Sequence, residues 1–104
     1  MCGCPVLIVS MSIRFEWDPR KARRNLHKHG IDFTEASTVF ADTLSITIPD
    51  PDHSEDEERC VTVGLSTRRR LLVVVHTDEG ETSRIISARR ADAHERRKYE
   101  EGDT

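Results

Sequence analysis

Lys21, Asn25 and Lys28 are spaced i, i+4, i+7, and His29 falls four residues after Asn25. On a helix that spacing gathers two cations, an amide and an imidazole into one stripe. Cations bind phosphate and stabilise a pentacovalent phosphorus, and an imidazole can carry the proton of a ribose 2′-hydroxyl, so the set suits RNA cleavage. Arg59, Arg84 and Arg89 extend the basic inventory further along the chain. By strict alternation Arg59 shares a face with Val61 and Val63. Arg84 shares one with Ile86 and Ala88, and Arg89 falls on the opposite face or past the strand end. Arg68, Arg69 and Arg70 occupy a turn, where they touch RNA backbone or nothing.

Each of these residues also has a purely structural reading. His29 precedes Gly30 and suits a helix C-terminus, where positive charge is favoured. Lys21 and Lys28 fit a solvated face. Arg84 and Arg89 have Glu16, Glu58 and Glu95 as possible ion-pair partners, and His76 reads as a satisfied histidine ending an apolar strand. Trp17 reads as a core anchor. Taken without any comparison, the residues describe a basic α+β domain able to bind RNA.

The elements that must carry these residues are legible from periodicity. Ile13, Phe15 and Trp17 alternate with Arg14 and Glu16 as a short strand. Asp18-Pro19 starts a helix over Arg20 to His29 that stops at Gly30. A second helix restarts around Asp32, with Thr34 as the expected cap and Phe33, Ala36, Val39 and Phe40 on its buried face. Period two returns over Leu44 to Ile48, Arg59 to Leu65, Leu71 to His76 and Arg84 to Ala88. A charged helix, Ala91 to Glu101, ends the series. The expected fold class is α+β: one strand, two helices, a four-strand antiparallel meander and a C-terminal helix.

A chain of 104 residues, 36% hydrophobic and 34% charged, has room for one modest core. Its longest apolar runs, Pro5 to Val9 and Leu71 to Val75, are far below the roughly 20 residues a membrane-spanning helix needs. No secretory signal is read, and three cysteines (Cys2, Cys4, Cys60) suit reduced thiols of the cytoplasm rather than a disulfide framework. No cofactor or metal site is read from the sequence. The formal net charge of −3 conceals an uneven distribution. Residues 42–58 hold seven acids and no Lys or Arg, whereas 11–41 and 59–104 each carry a local net of +2. Residues 1–10 carry no charge. They are expected to be a disordered or mis-called extension ahead of a single domain over 11–104.

One further pattern runs through Phe15-Glu16-Trp17-Asp18-Pro19, Lys21, Asn25, Lys28-His29-Gly30-Ile31, Phe33, Glu35-Ala36 and Val39-Phe40. It continues in Glu58-Arg59, Gly64, the run Arg84 to Ala91, Glu95-Arg96-Arg97 and Tyr99-Glu100. Over Ile13 to Glu101 the chain resembles the BrnT toxins. The resemblance implies a RelE-like fold and a metal-independent endoribonuclease that stops translation. It also implies a BrnA-type ribbon-helix-helix antitoxin, in a complex with two copies of each protein that reaches operator DNA only through the antitoxin. On this reading Lys28, His29, Arg59, Arg84 and Arg89 are the catalytic candidates, and Lys21, Asn25, Arg69 and Arg70 the RNA-binding ones. Glu79-Gly80 departs from the Arg that many members carry in the last hairpin turn, which implies weaker RNA binding there. The alternative is a non-catalytic protein acting as an antitoxin-bound co-repressor; an RNA cleavage assay separates the two.

Overall fold

The computed structural model describes residues 6–8, 14–49 and 59–101. The acidic loop over 50–58, Ile13, Met11, Cys2 and Cys4 lie outside the described residues. Six strands form one sheet in the order β1-β2-β6-β5-β4-β3. They are β1 (Val6–Ile8), β2 (Arg14–Glu16), β3 (Ile46–Pro49), β4 (Arg59–Leu65), β5 (Leu71–Glu79) and β6 (Thr82–Arg90). Helices α1 (Pro19–His29) and α2 (Phe33–Thr38) follow β2, and α3 (Ala93–Glu101) follows β6. The expected order holds, with one addition. Val6–Ile8, within the stretch expected to be a disordered or mis-called extension, pairs antiparallel with β2.

Local chemistry sets the helix ends. Asp18 accepts a hydrogen bond from the Arg20 amide and Pro19 opens α1, while Gly30 closes it at φ 73°. The cap of α2 is Asp32, not Thr34: the Asp32 carboxylate accepts from the Glu35 amide at 2.6 Å. A capping box starts α3, since Glu95 N–H donates to Asp92 and Asp92 N–H donates back to Glu95.

One face of the sheet carries the core. Phe15, Trp17, Ile31, Phe33, Ala36 and Val39 pack against Leu72, Val74, Ile85 and Ala88. Trp17 is an anchor here, edge-on to Phe33 with centroids 6.0 Å apart. At Gly64 the 3₁₀ turn Val39–Ala41 crosses so closely that a Cβ would lie 2.8 Å from a Val39 methyl. The backbone passes there only because no side chain is present.

His76 lies on this same face in the central strand β5, where it is 1% exposed. Asp78 accepts from Nδ1 at 2.8 Å, and Nε2 stands 2.7 Å from the Thr62 hydroxyl, so both ring nitrogens are satisfied. Burial lowers its pKa below 6.5, against the opposing pull of Asp78. Below about pH 6.5 the unfolded chain therefore binds a proton that the folded chain refuses, and stability falls with pH. Glu35, Asp42 and Glu95 have depressed pKa values and lose their contributions only in a more acidic window. Urea midpoints at pH 7.5, 6.5 and 5.5 are expected to decline for the native chain and to flatten in His76→Gln. A native midpoint constant across that range would remove His76 as the cause.

Candidate RNA-cleaving site

The site begins where β2 ends. β2 runs parallel to β6 only from Arg14↔Thr82 to Glu16↔Arg84, and the chain then leaves at Trp17 to start α1. Beyond Arg84 the edge of β6 faces α1 rather than a strand. The two elements enclose a shallow depression of about 260 Å³ lined by Lys21, Arg24, Asn25, Lys28, His29, Ile86 and Ser87. The cations Lys21, Arg24 and Lys28 are exposed, as is His29. Four of the predicted residues thus meet at one place. Arg24 joins them unpredicted, although its i+3 and i+4 spacing to Lys21 and Lys28 was visible in the sequence.

A bulge decides what else joins. The β5–β6 register slips between Val75↔Ser87 and His76↔Ile85, which leaves Ile86 as the inserted residue. Strict alternation, which put Arg84 with Ile86 and Ala88, is corrected by that extra residue. Thr77 faces Arg84, Val75 faces Ser87 and Val73 faces Arg89, so Arg84, Ser87 and Arg89 share the sheet face opposite the core. Arg59 belongs to the same face, because its partner across β4–β5 is also Thr77. Ser87 is the joint: it lines the α1 depression and lies between Arg84 and Arg89 on the face opposite the core.

Not every predicted contact survives the geometry. Asn25 is buried, and its amide holds backbone instead of RNA. Its Nδ2 donates to Ile31 O and Ala88 O at 2.9 Å each, and its Oδ1 accepts from the Ala88 amide at 3.0 Å. Arg70 is also committed elsewhere. Its guanidinium pairs with the buried Glu35 carboxylate, which Ser66 also hydrogen-bonds, and reaches Gly30 O at 3.4 Å. Arg69 stays exposed at the hairpin tip with φ 65°. Arg84 lies 3.5 Å from Glu16, and Arg89 makes a two-pronged pair with Glu95 at 2.9 and 2.7 Å. Those pairs match the structural alternative, yet both arginine side chains remain almost half exposed and able to exchange partners. Arg59 is half-buried, and its Nε has no hydrogen-bond partner among the described residues. Arg84 and Arg89 are five residues apart, roughly 15 Å along a strand.

Among the described residues no cluster of His, Cys, Asp or Glu is placed to hold a metal ion, and no helix is long and apolar enough to cross a membrane. Residues 17–95 match the model of the family described as ribonuclease toxin, BrnT, of type II toxin-antitoxin system. The chain belongs to the BrnT family. It is thus a ribonuclease toxin of a type II system, a class that acts opposite an antitoxin. Its fold is similar to the crystal structure of the Brucella abortus ribonuclease toxin, BrnT. The TM-score is 0.57 at 23% identity, covering 73% of this chain and 92% of that one. No curated protein matches the chain. The family match begins at Trp17, after β1 and β2, and ends at Glu95, so it takes in the depression and the arginines of β4 and β6.

Proposed function

We propose that this BrnT chain cleaves RNA in the depression between α1 and β6, without a metal ion, and stops translation in the cytoplasm. The observation that carries the reading is the joining of Lys21, Arg24, Lys28 and His29 to the arginine-bearing face of β6 through Ser87. RNA backbone lies across Ser87, with α1 cations on one side of a phosphate and Arg89 on the other. His29 takes the 2′-hydroxyl proton, the 2′-oxygen attacks phosphorus, and the P–O5′ bond breaks as water gives a proton to the departing 5′-oxygen. The product is a 2′,3′-cyclic phosphate. Lys28 offsets the charge that builds on the phosphoryl oxygens. A metal-independent route fits a depression whose lining, among the described residues, includes cations and no carboxylate, since such a lining repels divalent metal.

The antitoxin is a BrnA-type ribbon-helix-helix protein, whose acidic segment covers the same cations. Complementary charge speeds such an encounter. Two copies of each chain form the complex, and operator DNA is reached through the antitoxin.

The test is cleavage of a defined RNA by the purified chain in EDTA. His29→Ala and Lys28→Ala are each expected to lower kcat about 100-fold or more with the fold intact. Activity that needs added metal would remove the metal-independent route. Full activity in both variants would remove the depression as the site.

A further inference from the structure

Asn25 lies at the floor of the depression on the buried side of α1, and its role there follows from its partners. β6 loses its strand neighbour after Arg84, which leaves edge groups that must be paired in a buried setting. Asn25 supplies the pairing. It accepts the Ala88 N–H and donates to the Ala88 carbonyl, the two bonds a neighbouring strand would make. Its second donor hydrogen goes to Ile31 O, in the link that follows α1. One side chain thus fixes the middle of α1, the segment after it and β6 at a single point. Ala88 stands between Ser87, which lines the depression, and Arg89 on the face opposite the core.

We propose that Asn25 is a positioning residue for RNA cleavage, one that sets the register of the α1 cations against β6 without touching RNA. This rests on the depression being the cleavage site. The geometry demands an amide: the position needs one acceptor and two donor hydrogens, which Asn provides and Asp, Ser or Leu do not. Sliding α1 along β6 would move Lys28 and His29 relative to Ser87 and Arg89. A misplacement of about 1 Å reduces turnover on the order of 100-fold. Ground-state attraction between RNA and exposed cations is long-ranged and far less sensitive to such a shift.

The decisive variant is Asn25→Asp, the nearest match in shape. Its carboxylate still accepts from Ala88 N–H but turns its other oxygen toward two carbonyl oxygens. Protonation restores one donor hydrogen, so the defect should ease as pH falls. Rates are normalised to the folded fraction read by circular dichroism. The expected result is a kcat about 100-fold below the native chain at pH 8 with little change in KM. The variant-to-native ratio should then rise steadily toward acid pH. Asn25→Ser, which is smaller and uncharged, should lose kcat without that recovery, and it serves where the Asp variant does not fold. A folded Asn25→Ser with native kcat overturns the proposal, as does an Asn25→Asp ratio that stays flat with pH. Failure of the site itself is separable. Lys28→Ala and His29→Ala would then be active, whereas loss of the positioning role alone leaves both inactive beside an active Asn25→Ser.

Discussion

Arg70→Ala is expected to destabilise the fold, and by clearly more than the loss of its neighbours in the same turn. Arg70 has the sequence of an RNA-contact residue, one of three consecutive arginines at a hairpin, but Glu35 changes its meaning. The Glu35 side chain is 3% exposed and accepts from the Arg70 Nε at 2.9 Å and from its terminal nitrogen as well. Ser66 adds a third bond at 2.7 Å. The Arg70 guanidinium holds the Glu35 carboxyl below the usual carboxylate range, against the burial that pushes it up. Removing the arginine leaves a buried charge with only the Ser66 hydroxyl. Calorimetry should show a fall in Tm clearly larger than that of Arg69→Ala. Arg69→Ala, exposed and one residue away, should stay within about 0.5 kcal/mol. The double variant Arg70→Met, Glu35→Leu should recover much of the loss, because removing both charges together is far less costly than orphaning one. A fall in Tm no larger than that of Arg69→Ala would mean that solvent screens the pair and that Arg70 is available to RNA after all.

That contrast shows which parts of the molecule local pattern could reveal. Helix α1 and its stripe follow from residues near one another in sequence: the Asp18-Pro19 start, the Gly30 stop, and the spacing of Lys21, Lys28 and His29. The face of Arg59, shared with Val61 and Val63, follows as well, whereas the faces of Arg84 and Arg89 do not. A one-residue bulge opposite the Val75–His76 step reverses the alternation for every position after Ile85, and nothing in a run of alternating and apolar residues marks it. Asn25 and Arg70 were misread for a related reason. Their partners lie 63 and 35 residues away, and a polar residue at a basic surface looks the same whether it meets solvent, ligand or buried backbone. β1 is not legible in the sequence, because three apolar residues pair with β2 in a way no periodicity announces.

Arg84→Ala and Arg89→Ala are expected to separate cleanly from Arg70→Ala, with folding retained and activity lost. Their pairs with Glu16 and Glu95 join side chains that are 44% and 45% exposed on the arginine side. Such surface pairs contribute about 0–1 kcal/mol, so circular dichroism and Tm should change little. If each guanidinium meets phosphate near Ser87, cleavage should fall about 100-fold or more, the scale of losing one oriented donor to a transition-state oxyanion. Arg89 should show the larger effect, being two residues from Ser87 where Arg84 is three residues away across the bulge. A further variant decides between phosphate contact and mere support of α3. Glu95 grips Arg89 with both oxygens and must release it before phosphate can bind. Glu95 also closes the capping box of α3, so either change weakens the start of that helix. Were Arg89 only a strut for α3, Arg89→Ala and Glu95→Ala would impair cleavage alike. If Arg89 is the phosphate contact, the two move in opposite directions: Arg89→Ala raises KM and lowers kcat, while Glu95→Ala removes the competing carboxylate and lowers KM. Steady-state kinetics on one short RNA at fixed salt reads both, and two parallel losses would return Arg89 to a structural role.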